Sequence, residues 1–300
     1  MCLAGTVVGR TLVALFGGLR WSREPFVNLC VSAEDITAPP NPASDGLLRF
    51  NIAGMVSAEA TFSTYRRLVE RISRDAGLED SLVLRRTHAE VRQNLSGQRV
   101  QVAFVCTWTY LHASREKSIR LLVQPEFEKG LEYRCLLIVP SESPSRKIED
   151  LRGQTMAFTD PESNTGYMVP TVMLFDRGGT PGSFFGKTVF TGSHDNSILA
   201  VLLGAVDVAS VDALVWKSHL REQPSLASRV RIIWKSEEFG APPVVVPVGL
   251  DARLEQPLRQ AFLRLHEDGE GREILSGIGI ERFVPGREED YRSALDIYAS

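Results

Sequence analysis

Two aliphatic runs bordered by proline, Cys135-Leu136-Leu137-Ile138-Val139-Pro140 and Pro243-Val244-Val245-Val246-Pro247-Val248, constrain the fold of this chain more than any other feature. Each has the length and composition of a buried strand, and about 100 residues with strand and helix signals of their own lie between them. A chain that enters an insert through one such strand and leaves it through another predicts two lobes joined by two paired hinge strands. The expected division is 1–46 as export segment and flexible leader, 47–135 and 244–300 as a discontinuous lobe one, and 136–243 as lobe two.

Within lobe one, residues 48–52 alternate apolar and polar side chains with the period of a strand. Phe62, Tyr65, Leu68, Val69 and Ile72 then recur at helical spacing, behind Ser57 as a cap and ahead of Gly77 as a stop. Strands are also expected at 82–84 and 102–105, with a short helix between them ending near Gly97. This alternation predicts a parallel α/β sheet. The insert repeats the pattern with strands at 155–158, 187–190, 206–211 and 230–234, and the final helices, 257–267 and 271–276, pack back on lobe one.

Charge and cysteine usage narrow the function classes. Thirty-four Lys and Arg against 37 Asp and Glu leave a net charge of −3, so there is no basic excess to hold nucleic acid. The four cysteines, Cys2, Cys30, Cys106 and Cys135, form no CxxC pair and have no His at finger spacing, which argues against structural zinc. Arg10 and the apolar stretch 11–16 resemble the start of an export signal, cut short by Gly17, Gly18 and Arg20. Cys30 stands where a lipid anchor would be attached, but Leu29 replaces the small residue that such a cleavage box wants; residues 31–33 offer another cleavage site. The expected location is the periplasm.

In an open α/β sheet, ligands lie beyond the carboxyl ends of the strands. After Phe158 stands Thr159-Asp160-Pro161-Glu162-Ser163-Asn164-Thr165-Gly166-Tyr167, whose hydroxyl and amide side chains open a helix beside a glycine. Such a turn offers free backbone N–H groups to an oxyanion, or simply caps its helix. After Phe190, Thr191-Gly192-Ser193-His194-Asp195-Asn196 opens another helix, and Asp212 follows the strand ending at Val211. Asp212 is equally a helix cap or an acceptor for ligand hydroxyls.

Taken in order, those two loops and the run Gly204-Ala205-Val206-Asp207-Val208-Ala209-Ser210-Val211-Asp212-Ala213 resemble the phosphonate/phosphite-type periplasmic substrate-binding proteins of ABC transporters. A weaker match is the turn 148–153, and the resemblance extends over about 48–281. It implies an α/β class II periplasmic binding protein fold, no catalysis and no cofactor, with a ligand held between lobes and passed to an ABC permease. Carried over residue by residue, Ser163, Asn164, Thr165 and Gly166 would hold ligand oxygens, with His194 and Asp212 opposite; Met55 and Ser57 would supply the lobe-one wall. Asn164 departs from the Ser or Thr usual at its position.

The main departure is Cys106, followed by Trp108, where relatives carry a small or hydroxyl residue. A thiol is a weak hydrogen-bond donor but a good ligand for a soft centre such as trivalent arsenic. Arsenite is neutral at physiological pH and needs no cluster of Arg or Lys. With that cysteine the chain is similar to the periplasmic arsenite-binding sensor proteins of the AioX group, which implies Cys106 as arsenic ligand and a membrane histidine kinase as partner. The alternatives are phosphonate or phosphite uptake, an inert buried thiol, and a Cys106–Cys135 disulfide. A thiol–imidazole–acid triad of Cys106, His194 and Asp212 is the enzyme reading, weakened because its members fall on two lobes.

Overall fold

The computed structural model of the chain describes residues 46–53, 58–85, 87–129 and 132–299. Cys30 with the leader to residue 45, and the proposed wall residues Met55 and Ser57, lie outside the described residues.

Eleven strands form two sheets among the described residues. The first holds β1 (Leu47–Ile52), β2 (Glu79–Leu84), β3 (Val102–Phe104), β4 (Ile119–Phe127), β10 (Val244–Pro247) and β11 (Ile280–Pro285), in the order β11-β4-β10-β3-β1-β2. The second holds β5 (Cys135–Pro140), β6 (Thr155–Phe158), β7 (Lys187–Phe190), β8 (Val208–Asp212) and β9 (Val230–Lys235), in the order β7-β6-β8-β5-β9. Helices α1 (Ala58–Asp75), α2 (His88–Ser96) and α3 (Thr107–Arg115) accompany the first sheet, and α4 (Val169–Phe175), α5 (Pro181–Phe184), α6 (His194–Leu202) and α7 (Ala213–Glu222) the second. The chain closes with α8 (Ala252–Arg264), α9 (Gly269–Gly277) and α10 (Arg292–Ala299).

Both faces of each sheet are covered, which explains the unbroken apolar runs. On β5, Leu136 and Ile138 pack with Ile198, Val201 and Trp216, while Leu137 and Val139 face Met173, Leu174 and Phe184. The same demand corrects the expected hinge: β5 pairs with β8 and β9, and β10 with β3 and β4, so the two proline-bordered strands do not lie side by side. Side chains this apolar need cover on two faces, which a connection between sheets does not give. The crossings run just outside those strands, where the Phe239 N–H donates to the Tyr133 carbonyl at 2.9 Å and the two rings stand 6.3 Å apart.

Two further expectations are revised, and two strands were not anticipated. The first sheet is mixed: β1 is parallel to β2 and β3, but β10 and β11 run antiparallel to their neighbours. Strands β4 and β11 had no expectation, since Arg120, Pro125, Glu281 and Arg282 break their patterns. On α1, Tyr65, Leu68, Val69 and Ile72 are buried, but Phe62 is 47% exposed beneath the Arg66 guanidinium and Thr61 takes the inward position. Gly77, at φ +73°, ends that helix in the left-handed region that favours glycine.

Candidate functional site

Three helix N-termini converge beyond the carboxyl ends of β6, β7 and β8. After β6, Ser163 caps a wide π-type turn over Asn164–Met168, its hydroxyl accepting from the Gly166 N–H at 3.1 Å. Gly166 is needed there because a Cβ would lie 1.8 Å from Thr159 Oγ1 and 2.8 Å from Ser163 Oγ. Asn164, Thr165 and Gly166 are all buried in the turn. His194 opens α6 and Asp212 caps α7, its Oδ1 accepting from the Leu214 N–H at 2.7 Å.

These side chains meet. The Thr165 hydroxyl lies 3.4 Å from Asp212 Oδ2, to which it donates, and 3.5 Å from His194 Nε2. The Asp212 N–H donates to His194 Nδ1 at 3.1 Å, which assigns the ring proton of the neutral imidazole to Nε2. Burial pushes His194 down to about 3, helped by the field of His88, so the ring is neutral and a donor. Burial pushes Asp212 up to about 7 against hydrogen bonds from Leu214, Val215 and Thr165, so its carboxyl shares a proton near neutrality. Thr159 Oγ1 and Ser193 Oγ, both buried, keep unused hydrogen-bonding capacity on the same loops. Asp212 thus caps α7 and also accepts from Thr165, and His194 is a buried member of the same cluster.

A second cluster forms beyond β2 and β3. Cys106 occupies the N-cap of α3 with its thiol unused for capping; Sγ lies 3.3 Å from the Thr109 hydroxyl and 3.5 Å from the Glu162 carbonyl, contributed by the other sheet. Thr109 Oγ1 is in turn 3.4 Å from His88 Nδ1. His88 is the first residue of α2, fixed by a reciprocal cap in which Thr87 accepts from the Glu90 N–H and Glu90 accepts from the Thr87 N–H, each at 3.2 Å. Its own N–H reaches Asp160 Oδ2 at 3.3 Å.

Each member of the pair favours the charged form of the other. Burial opposes charge on both, but mutual attraction overcomes it: the thiolate, with Asp160 and Glu162, lifts His88 to about 9, and His88 with Thr109 holds the Cys106 thiol below its ordinary value. Arg92 completes the contact between sheets, donating to Glu162 at 3.1 and 3.3 Å. The imidazole beside the thiol is therefore His88, and His194 belongs to the other cluster, so the triad of Cys106, His194 and Asp212 is not assembled.

Of the other residues picked from sequence, Trp108 lies on α3, half-buried, its ring 6.1 Å from that of His112. Cys135 does not approach Cys106; its Sγ lies 3.1 Å from Ser210 Oγ, and both thiols are free. Sequence reasoning missed His88, Thr109, Asp160 and Glu162. The Thr87-x-x-Glu90 spacing was the available signal for a helix start at His88, and Asp160 and Glu162 lie inside the loop already singled out. Among the described residues no group of three or more His, Cys, Asp or Glu is arranged to hold a metal ion, and no helix is long and apolar enough to cross a membrane.

Comparison with known proteins bears on this arrangement. The family profile described as "ABC transporter, phosphonate, periplasmic substrate-binding protein" matches residues 50–291. The phosphonates-binding periplasmic protein of Escherichia coli (strain K12) is 22% identical over 237 residues, 77% of this chain and 70% of its own length. A binding protein component of an ABC phosphonate transporter from Pseudomonas aeruginosa superposes with a TM-score of 0.78 at 22% identity, over 84% of this chain and 85% of that one. PhnD1 from Prochlorococcus marinus (MIT 9301), solved in complex with methylphosphonate, gives a TM-score of 0.76 at 19% identity, covering 85% and 97% of the two chains. The two-sheet α/β architecture is that of periplasmic binding proteins.

Proposed function

The chain belongs to the phosphonate-type periplasmic substrate-binding proteins of ABC transporters, and on that premise we propose that it captures a small phosphonate or phosphite between its two sheets for delivery to an ABC permease. The observation that carries this reading is the convergence of Thr165, His194 and Asp212 at three helix N-termini. Helix N-termini favour anions through their free N–H groups and their dipoles. A neutral His194 and a proton shared on Asp212 add donors that suit a partly protonated oxyanion without an Arg or Lys. The unused hydroxyls of Thr159 and Ser193 are further partners for ligand oxygens.

A second reading, arsenite sensing coupled to a membrane histidine kinase, is favoured by one specific observation: the Cys106 thiol, held below its ordinary value by His88, is only 3% exposed and lies against the Glu162 carbonyl of the opposite sheet. A thiolate takes a soft, neutral trihydroxide better than it takes a hard anion, which it repels. Calorimetric titration of the reduced protein with methylphosphonate, phosphite and arsenite separates the two. Tight phosphonate or phosphite binding with weak arsenite binding is the expected result. Tight arsenite binding that Cys106→Ser removes, with no phosphonate or phosphite bound, would overturn the first reading in favour of the second.

A further inference from the structure

Next to the cluster of Thr165, His194 and Asp212 lies a cavity of about 130 Å³ between the two sheets. Its near walls are apolar, with Tyr65 of α1 and Phe104 of β3 on one side and Leu214 and Val215 of α7 on the other, while His219, Arg221 and Glu222 of α7 make its far end polar. The cavity adjoins the candidate site through neighbours of its residues, Thr165, His194 and Asp212 not lining it themselves. Leu214 is the residue whose N–H is held by Asp212. Asp195, adjacent to His194, lies on the rim. The Tyr65 phenol is close enough to Asp212 for that carboxylate to add to the effect of burial, which together push it up to about 12. Phe104 stands two residues before Cys106.

A hydrogen or a methyl group on phosphorus is too small to fill a space of that size. We propose that the cavity receives the organic substituent of the ligand, so that the compounds bound best are phosphonates bearing a short apolar group, on the order of three to six carbon atoms. An apolar cavity of roughly 150 Å³ accepts a benzene ring, which sets the scale. The phosphonate oxygens then sit at the helix N-termini, and the carbon chain runs outward between α1 and α7. Burying each methylene there contributes about a fourfold gain in affinity. The inference rests on the phosphonate reading of the site and specifies its substrate class.

The test is calorimetric titration of the full chain with phosphite, methylphosphonate, butylphosphonate and phenylphosphonate. Affinity is expected to rise along the series, butylphosphonate exceeding methylphosphonate by about tenfold or more. Ser218→Trp, on the α7 wall of the cavity, is expected to bring that ratio close to one by filling the space. A second filling variant, Thr64→Leu on the α1 wall, serves if the first fails to fold. Methylphosphonate or phosphite binding as tightly as the longer compounds overturns the inference and leaves the phosphonate reading standing. Failure of all four compounds to bind the folded wild-type chain overturns both.

Discussion

The two clusters that face one another between the sheets are built on different principles. Around Thr165, His194 and Asp212 the working groups are backbone N–H groups and neutral donors, held by caps and by a turn that tolerates only glycine at 166. Around Cys106 and His88 they are a buried thiol and an imidazole that favour each other's charged forms, with carboxylates of the other sheet adding to the pull on His88. Helix N-termini at strand ends are generic equipment for holding an oxyanion. A buried thiol beside an imidazole is not, and it sets this cluster apart from what helix N-termini alone supply.

The largest effect that would break this contrast is expected from Gly166→Ala. The new Cβ meets Thr159 and Ser163, so the turn must open; overpacking of this kind costs about 1–3 kcal/mol of stability. Ligand affinity should fall about a hundredfold, equivalent to about 2.7 kcal/mol. Thermal unfolding and calorimetry read the two separately, and near-wild-type affinity would show that the backbone is not the seat.

Opposed titrations in the Thr165 cluster give the next effect. Asp212, raised from 3.8 to about 7, binds its proton more tightly when folded, so its contribution to stability falls as pH rises from about 4 to 7. His194, lowered from 6.5 to about 3, is protonated first in the unfolded chain, so its contribution rises over about pH 3 to 6.5. In the wild type the slopes largely cancel. Asp212→Asn should expose the rise and His194→Gln the fall, each by at most about 1.4 kcal/mol per pH unit in denaturant titrations. Parallel curves for all three proteins would rule this out.

On the other side, His88→Gln leaves Cys106 buried without its counter-charge. Its thiolate, followed by ultraviolet absorbance, should then form above the ordinary thiol value of about 8.5, whereas in the wild type it forms below it, a change of tenfold or more in thiolate fraction at neutral pH. An unchanged titration would mean that the imidazole does not set the charge. The smallest effect is expected from Arg92→Ala. Its ion pair with Glu162 joins the sheets but is partly solvated, with side chains 22% and 24% exposed, so it should contribute about 0.5–1 kcal/mol and weaken ligand binding two- to fivefold.

Much of the first cluster, around Thr165, His194 and Asp212, was legible because its signals are local. Ser163, Gly166, His194 and Asp212 each stand at a strand-to-helix junction that period and cap residues reveal within a few positions. His88 was not legible. Its partner Cys106 lies 18 residues away in sequence on another strand-to-helix junction, and its carboxylates arrive from the other sheet. The hinge was misplaced for a related reason. Composition shows that residues 135–140 and 243–248 are buried strands, but two equally apolar strands carry no mark of which sheet each will join.

The sequence by itself determined the alternation of strands and helices, the apolar interior strands and the loops at the carboxyl ends of β6, β7 and β8, because spacing and capping act over a few residues. Only the tertiary structure decided which sheet received β5 and β10, that β10 and β11 run antiparallel to their neighbours, and that the imidazole acting on Cys106 is His88 and not His194. Pairing between strands depends on which faces the helices leave open. The charge of a buried group depends on what surrounds it in three dimensions, and neither is written in the order of neighbouring residues.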